Sequence, residues 1–275
     1  MSTVTASSTR EHRVTTRSLA VRKRKGERIS MLTAYDFTFA QIFDSVGVDV
    51  LLVGDSLCNV VQGCDTTLPV TMDEMLYHTR LVSRAVRRAL VVGDMPFGSY
   101  QVGCEDAVRN AIRFVKEGGA HAVKLEGGTR VLPIIERIVE AEIPVMGHVG
   151  LTPQAVNRMG GYRVQGRGEK GRSIVIDDAL AVQEAGAFAV VLEGVPRDLA
   201  AEITIRLKIP TIGIGAGVDC DGQVLVMHDL LGLNECPPSF VKQYANLGAM
   251  TSKAVRAFID EVENGKFPDP EHSYR

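Results

Sequence analysis

Tryptophan is absent from the sequence, and aromatic residues make up only 5% of its 275 residues. Apolar residues nevertheless account for 45% of the chain, which is enough for a sizeable core. Because so few residues are aromatic, this core must consist mainly of aliphatic side chains. A chain of this length suits one large domain or, at most, two small ones.

Long apolar runs are also missing. No stretch approaches the ~18 consecutive apolar residues of a membrane span, so we expect no membrane partner. The N-terminal residues lack the apolar region of a secretory signal peptide. The net charge of the chain is −2, without a basic excess, so nucleic acid is not an expected partner.

The cysteines show neither the pattern of a zinc site nor that of a disulfide framework. They are odd in number, widely spaced and never arranged as CxxC. Unpaired thiols of this kind indicate a reducing compartment, and we therefore predict a cytoplasmic protein. The five cysteines are Cys58, Cys64, Cys104, Cys220 and Cys236.

Four short apolar runs share the same ending, which combines a glycine with an acidic residue. The acids are Asp55, Asp94, Glu126 and Glu193. Continuous apolar runs of this length are typical of strands that are buried on both faces of a parallel sheet. Since the carboxyl ends of parallel strands lie at one edge, we expect the four acids to converge there.

Predicted strands and helices alternate along the chain. The strands are predicted at residues 29–34, 50–54, 89–93, 121–125, 145–148, 188–192, 210–214 and 224–226. This alternation over ~250 residues predicts the α/β class and a (β/α)8 TIM barrel with an N-terminal helix. An open doubly wound sheet is the alternative, but the first β/α turn lacks a GxGxxG fingerprint.

The chain contains no composition break or linker. We therefore predict a single barrel domain over residues 1–275, in which residues 1–15 form a flexible tail. The basic segment that follows is predicted to form a short helix, Thr16–Lys25, packed on the body through Leu19. Its charges are interpreted as a solvated face.

Residues 151–173 form a long, glycine-rich irregular segment. A loop of this length inside a compact domain is usually functional. We interpret residues 160–171 as a candidate cover that excludes water from the site. Helices are predicted on the C-terminal side of this segment at residues 177–185 and 239–264.

The converging acids predict a metal site. A single acid after a strand is more often a helix N-cap, but four acids packed without a cation would repel one another and become protonated. Mg²⁺ takes one or two carboxylates and leaves its other positions to water or substrate oxygens. Histidine and cysteine do not cluster near these acids, which argues against zinc or copper.

Lys124 lies two residues before Glu126, so the two side chains point to the same face of one strand. A lysine in an apolar strand is costly to bury unless it meets an anion. An internal Lys–Glu pair is one interpretation. The other is a cation directed at an anionic substrate, and together with the metal this fits a small 2-oxo acid.

A metal bound to the ketone of such an acid would act as a Lewis acid when a base removes the adjacent proton. Glu193 is the candidate for that base, because one carboxylate must stay off the metal. The alternative for Glu193 is a cap of the helix near Pro196. His148, at the end of the fifth predicted strand, is a secondary candidate as a donor to a substrate oxygen.

At these residues the sequence resembles the ketopantoate hydroxymethyltransferase family. The matching stretches extend from residue 33 to residue 232 and cover nearly all of the predicted barrel. They are TAYDFTFAQIFD, LLVGDSLCNVVQG, TLPVTMDEM, KLEGG, GHVGLTPQ, GGYRVQGRG, VLEGVP, IGIGAG and DGQVLVMHDLLG. No single stretch is specific, but the set is.

The resemblance implies a Mg²⁺-dependent (β/α)8 enzyme similar to the phosphoenolpyruvate/pyruvate group. It implies that Asp55 and Asp94 bind the metal, with Glu126 in its shell. It also implies that Glu193 is the proton acceptor. The residues that would bind the substrate are Asp55, Ser56, Asp94 and Lys124. A homo-oligomer, often a decamer, is a further implication.

The reaction that the resemblance implies is enolisation of 3-methyl-2-oxobutanoate and attack of its C3 on the one-carbon unit of 5,10-methylenetetrahydrofolate. The products would be 2-dehydropantoate and tetrahydrofolate. Two alternatives stay open from the residues themselves. One is a Mg²⁺-dependent aldolase or lyase for a related 2-oxo acid, and the other is a barrel that binds such an acid without chemistry.

Overall fold

A computed structural model describes residues 13–274 of the chain. Eight parallel strands close into a barrel in chain order, and the last strand pairs with the first. This confirms the predicted (β/α)8 barrel. The strands are β1 (Ile29–Thr33), β2 (Val50–Val53), β3 (Leu90–Asp94), β4 (Ala122–Glu126), β5 (Val145–Gly150), β6 (Ala189–Glu193), β7 (Thr211–Ile214) and β8 (Gly222–Leu225).

Helices follow the strands on the outside of the barrel. Those that precede or follow β1 to β7 are α1 (Thr16–Lys25), α2 (Phe37–Ser45), α3 (Leu57–Val60), α4 (Met72–Ala85), α5 (Cys104–Lys116), α6 (Leu132–Glu140), α7 (Val156–Met159), α8 (Gly168–Glu184) and α9 (Arg197–Arg206). Two glycines let helices approach strands closely. A Cβ atom on Gly93 would lie 2.4 Å from the Phe114 ring of α5, and one on Gly147 would lie 2.3 Å from Val182 of α8.

The N-terminal helix α1 has defined ends. Thr15 caps it, because its side chain accepts a hydrogen bond from Ser18 N–H while Thr15 N–H donates to the Ser18 hydroxyl. Gly26 ends it with a positive φ of 68°. The buried side chain of Leu19 packs among the aliphatic residues inside the barrel. The predicted helix and its packing through Leu19 are therefore confirmed.

Two expectations about the N-terminal region need correction. The predicted flexible tail lies outside the described residues at positions 1–12, but it is wrong for residues 13–15. Val14 is buried in the core, and its N–H donates to the Arg88 carbonyl. The solvated basic face is wrong for Arg22 and Lys23, which form ion pairs with Asp49 and Asp221.

The segment after β5 is more regular than predicted. Helix α8 begins at Gly168, so the last part of the predicted irregular segment is helical. Buried Val175 and Ile176 show that packing outweighs the low helix propensity of its glycines. Gly171 also has a steric role, because a Cβ there would lie 3.3 Å from the backbone of Gly166.

The chain divides into two compact units, of which the first ends at Leu225 and contains the barrel. The second unit contains α10 (Met227–Leu230) and α11 (Leu247–Glu263). Helix α11 starts later than predicted, because Asn246 caps it by accepting a hydrogen bond from Ala249 N–H. A single domain over the whole chain stays a prediction. Between residues 13 and 274, no helix is long and apolar enough to cross a membrane.

Candidate active site

The predicted site residues lie at the carboxyl ends of neighbouring barrel strands. Asp55 comes two residues after β2, Asp94 ends β3, and Glu193 ends β6. Lys124 and Glu126 lie two residues apart at the end of β4. Because these strands are parallel, all five side chains belong to one rim of the barrel.

Strand register brings the residues from β2, β3 and β4 into contact. Asp94 and Lys124 are register partners, and the Lys124 Nζ atom lies 2.8 Å from Asp94 Oδ1. The other oxygen of the same carboxylate, Oδ2, accepts a hydrogen bond of 3.1 Å from Asp55 N–H. Asp94 is therefore held from both sides.

His148 of β5 extends this line of contacts to β6. Its Nδ1 atom lies 3.3 Å from Lys124 Nζ, and its Nε2 atom lies 3.1 Å from Glu193 Oε2. An ammonium group only donates, so Nδ1 must accept and the imidazole proton is assigned to Nε2, facing Glu193. Burial and the nearby Lys124 charge lower the pKa of His148, which keeps the imidazole neutral.

Glu126 is buried with only one of its carboxylate oxygens engaged. Oε2 accepts a hydrogen bond of 2.9 Å from Gln154 N–H. Oε1 has no hydrogen-bond partner within the described part of the chain, and His148 Nδ1 is 3.6 Å away. Burial, and then the charge of Asp55, raise the pKa of Glu126 well above its usual value.

The site holds more negative than positive charge. Burial raises the pKa of Asp94 to about 7, against the opposing effect of Lys124, while Asp55 raises it further. Burial lowers the pKa of Lys124, but the surrounding carboxylates outweigh this and raise it overall, so the ammonium stays charged. Carboxylates in this setting need either protons or an additional cation.

The arrangement of oxygen atoms suits a hard divalent cation. Asp55 and Asp94 are adjacent, and Oε1 of Glu126 is a buried acceptor without a donor. One or two carboxylates are what Mg²⁺ usually takes from a protein. Across residues 13–274, however, no three His, Cys, Asp or Glu side chains are already arranged as a ready-made set of metal ligands.

Glu193 and Ser56 lie at the edges of this cluster. The side chain of Glu193 is 17% exposed, whereas that of Asp94 is only 2% exposed, so Glu193 is the acid most open to a ligand. Ser56 follows Asp55 directly, and its hydroxyl lies 2.9 Å from the Tyr35 hydroxyl.

Two residues of the site were not predicted from the sequence. Gln154, in the turn after β5, hydrogen-bonds to Asp55 through its side chain and to Glu126 through its backbone. Tyr100, in the loop after β3, donates a hydrogen bond to the Gln154 side chain. Their only signal in the sequence is their position in loops that follow barrel strands.

The comparisons with known proteins identify the family of the chain. The family model of ketopantoate hydroxymethyltransferase matches residues 13–270. A relative from Pelobacter propionicus named 3-methyl-2-oxobutanoate hydroxymethyltransferase is 57% identical over 263 residues, which cover 95% of this chain and 97% of the relative. The chain belongs to the ketopantoate hydroxymethyltransferase family. The resemblance predicted from the sequence is thereby confirmed.

A second relative supports the assignment of the protein to the ketopantoate hydroxymethyltransferases. It comes from Frankia alni, has the same name as the first and is 58% identical over 268 residues, covering 97% of this chain and 88% of the relative. Membership of this family makes the protein an enzyme, a hydroxymethyltransferase.

Solved structures of more distant proteins share the fold. Phosphonopyruvate hydrolase, solved in complex with oxalate and Mg²⁺, has a TM-score of 0.60 at 14% identity and covers 94% of this chain and 92% of its own. A 2,3-dimethylmalate lyase, a member of the PEP mutase/isocitrate lyase superfamily, has a TM-score of 0.60 at 17% identity and covers 94% and 91%. At such identities the likeness supports the barrel fold alone.

Proposed function

We propose that the protein transfers a hydroxymethyl group to 3-methyl-2-oxobutanoate, with Mg²⁺ as cofactor and 5,10-methylenetetrahydrofolate as the one-carbon donor. The balanced reaction converts the 2-oxo acid, the folate and water into 2-dehydropantoate and tetrahydrofolate, which is a step of pantothenate biosynthesis. The observation that carries this proposal is the buried line of contacts from Asp94 through Lys124 and His148 to Glu193, in a chain of this family.

Asp55 and Asp94 would hold the metal, with Glu126 in its shell. The unpartnered Oε1 of Glu126 and the raised pKa values of Asp94 and Glu126 support this assignment, because a cation would relieve both. When bound, Mg²⁺ supplies Lewis acidity to the ketone of the substrate. The pocket for the 2-oxo acid consists of Asp55, Ser56, Asp94 and Lys124.

Lys124 would neutralise the anionic substrate and the charge that develops on it. Its ammonium group lies in a buried site, where an electrostatic interaction is stronger than in water. The same residue contacts both Asp94 and His148. It is therefore held in one place by groups from the strands on either side of β4.

Glu193 would remove the proton from C3 of the substrate. The Nε2–H group of His148 faces one oxygen of this carboxylate, Oε2, at 3.1 Å, and Oε1 is the oxygen that would accept the proton. The electron pair of the broken C3–H bond then forms the new bond to the one-carbon unit. The partial exposure of Glu193 places this base at the open side of the cluster.

The loop between β5 and α8 would exclude water while this carbanionic centre reacts. It is fixed beside the base at two points, because Leu151 N–H donates to the Glu193 carbonyl and Gln165 N–H donates to the Gly194 carbonyl, both at 2.8 Å. Because α8 begins at Gly168, only residues 160–167 of the cover predicted at residues 160–171 remain in the loop. Rapid protease cleavage between Leu151 and Gln165 that substrate suppresses would support this role, and equal cleavage would contradict it.

Deuterium exchange at C3 of 3-methyl-2-oxobutanoate tests the proposal without folate. We expect Mg²⁺-dependent exchange in the wild type and a loss of at least ~100-fold in Glu193→Gln. The control is Glu184→Gln, which alters an exposed glutamate of α8 and should exchange at the wild-type rate. Wild-type exchange in Glu193→Gln would remove that residue from the base role.

The one-carbon donor is tested separately. We expect product to form from the 2-oxo acid and 5,10-methylenetetrahydrofolate, with free formaldehyde or other aldehydes much less effective. A preference for a free aldehyde would instead favour the aldolase or lyase alternative. Family membership at 57% identity supports the folate-dependent reaction.

Assembly and location complete the proposal. We expect a homo-oligomer, for which the family resemblance suggests a decamer, and light scattering would then give ten times the mass of the 29.8 kDa chain. A monomer at micromolar concentration would contradict this. All five cysteines are free, in agreement with a reducing, cytoplasmic location.

A further inference from the structure

Gln154 occupies a position between two acids of the proposed metal site. We propose that Gln154 is a positioning residue, which engages one chosen oxygen of Asp55 and one of Glu126 and so leaves the other oxygen of each for the cation. This inference rests on the proposed magnesium site. It concerns the orientation of the carboxylates, not their identity.

Gln154 reaches both carboxylates by different groups. Its side-chain Nε2 donates a hydrogen bond of 2.9 Å to Asp55 Oδ2, and its backbone N–H donates one of 2.9 Å to Glu126 Oε2. Asp55 follows β2 and Glu126 ends β4, so one residue of the β5 loop connects acids from two other strands. Gln154 is itself buried.

The orientation of the Gln154 amide is determined by its other partners. The second proton of Nε2 points to the Met95 carbonyl at 3.0 Å, while Oε1 accepts a hydrogen bond of 2.7 Å from the Tyr100 hydroxyl. A flipped amide would place Oε1 against the Met95 carbonyl and the Asp55 carboxylate, which are both acceptors. The donor side of the amide must therefore face Asp55.

Tyr100 connects the Gln154 amide to the backbone of β4. Its hydroxyl accepts a hydrogen bond of 3.1 Å from Glu126 N–H and donates its single proton to Gln154 Oε1. The network is thus directional, from the backbone of β4 through Tyr100 and Gln154 to Asp55. Such indirect contacts orient metal ligands, and their loss typically weakens metal binding by about 10- to 100-fold.

The oxygen that Gln154 leaves on Glu126 shows what the network achieves. Oε1 is buried and has no hydrogen-bond partner in residues 13–274, although Oε2 of the same carboxylate is well bonded. A network that served only to stabilise the fold would engage this oxygen too, since an unsatisfied buried acceptor is costly. The arrangement instead keeps one acceptor available for a ligand.

The test measures Mg²⁺ binding by the substrate-free full-length protein, through competition with Mn²⁺ followed by electron paramagnetic resonance. Gln154→Met keeps the length of the side chain and the backbone hydrogen bond to Glu126, but it removes the hydrogen bond to Asp55. We expect this variant to weaken Mg²⁺ binding by about 10- to 100-fold. C3 exchange should recover to within about threefold of the wild-type rate at saturating Mg²⁺, because the reacting groups themselves are unchanged.

A second variant and a control keep the test decisive. Tyr100→Phe retains Gln154 but removes the shorter of two hydrogen bonds to its amide oxygen, since Gln101 Nε2 still donates to it at 3.2 Å. We expect Mg²⁺ binding to weaken by about threefold to tenfold, a smaller loss than in Gln154→Met. Gln183→Met is the matched control, because Gln183 accepts hydrogen bonds from Lys208 and Ile209 N–H groups at the opposite end of the barrel. It should bind Mg²⁺ like the wild type.

The outcomes separate this inference from the site on which it rests. Unchanged Mg²⁺ affinity in both Gln154→Met and Tyr100→Phe, beside a large loss in Asp94→Asn, would overturn the positioning role alone. If Gln154→Met fails to fold, Tyr100→Phe decides in its place, and wild-type affinity there overturns the role. Absence of Mg²⁺ binding by the wild type would instead remove the metal site, and the positioning role with it.

Discussion

The two ends of the barrel both bury acidic side chains, but they provide these acids with opposite surroundings. At the N-terminal end, Asp49 is contacted by Arg22 at 2.6 Å and by Arg88 at 2.9 Å. Burial acts to raise the pKa of Asp49, but hydrogen bonds from Ser30 and Arg88 outweigh it and the pKa falls. At the C-terminal end, burial prevails and the pKa values of Asp94 and Glu126 rise.

The difference separates acids that stabilise the fold, at the N-terminal end, from acids of the candidate site, at the C-terminal end. Asp221 at the N-terminal end also has partners on both sides, with an ion pair to Lys23 at 2.7 Å and a hydrogen bond from Thr211 N–H. Every acid named at that end has a donor from a neighbouring element. At the other end a single lysine, Lys124, serves several carboxylates, and one oxygen of Glu126 has no donor in the described structure.

The largest effect is expected from neutralising an acid at the C-terminal end. We expect Asp94→Asn to reduce Mg²⁺-dependent C3 exchange by at least ~100-fold, since a Lewis acid contributes several kcal/mol. Its free energy of unfolding without Mg²⁺ should fall by less than that of Asp49→Asn, because the raised pKa of Asp94 means that ionisation of this carboxyl costs the folded state, which offsets the loss of its contact with Lys124. Exchange and urea denaturation of the same sample check both statements, and a large loss of stability would contradict the comparison.

The same change at the N-terminal end should have the reverse result. Asp49→Asn leaves two arginines without their shared carboxylate, and we expect the free energy of unfolding to fall by about 3 kcal/mol. The C3 exchange rate per folded molecule should stay at the wild-type value. Measurement of both at a temperature where the variant is folded separates the effects, and loss of exchange would mean that the two ends are coupled.

Metal removal should act only through the C-terminal end. Mg²⁺ at 100 times its dissociation constant should stabilise the wild type by about 2.7 kcal/mol, relative to protein treated with EDTA. Differential scanning calorimetry should show this increment in Asp49→Asn and lose it in Asp94→Asn. An equal increment in both variants would place the metal elsewhere.

The smallest effect concerns the pH dependence of stability at the N-terminal end. His121, before β4, accepts a hydrogen bond from Val91 N–H, and burial followed by the nearby Arg13 lowers its pKa from 6.5 to about 4. Because the pKa of His121 in the folded state is below its unfolded value, the contribution of the neutral imidazole to the free energy of unfolding is complete above pH 6.5 and is lost as the pH falls towards 4. Allowing for solvent screening of a partly exposed group, we expect the free energy of unfolding to fall by about 1 kcal/mol over this range.

His121→Asn tests this assignment, because its side-chain oxygen can still accept the Val91 hydrogen bond but does not titrate. The loss of stability between pH 6.5 and pH 4.5, measured by urea denaturation, should be smaller in the variant than in the wild type. C3 exchange at pH 7.5 should be equal in the two proteins. Identical pH profiles of stability would show that His121 is not the titrating group.

The barrel could be predicted from the sequence because its strands are continuous apolar runs. All eight predicted strands lie within two residues of the observed bounds, including the eighth, which is predicted at 224–226 and observed at Gly222–Leu225. Helix starts were harder to predict. Gly168 and Gly171 look like loop residues, yet buried side chains further along α8 fix the helix there.

The acids of the candidate site could be predicted for a similar reason, since each follows an apolar run and stands out from it. Gln154 and Tyr100 could not, because a polar residue in a loop is usually exposed and the sequence does not show where a loop folds back. The basic segment illustrates the same limit. Arg22 and Lys23 resembled a solvated face because their partners, Asp49 and Asp221, are distant in the sequence.

Val14 and Leu19 close the interior of the barrel at its N-terminal end, since both are buried among its aliphatic side chains. Reactants and products of the proposed reaction would therefore share the opposite entrance, so the reactant that binds second would lie across the way out of the first. Product-inhibition kinetics would reveal the order of binding.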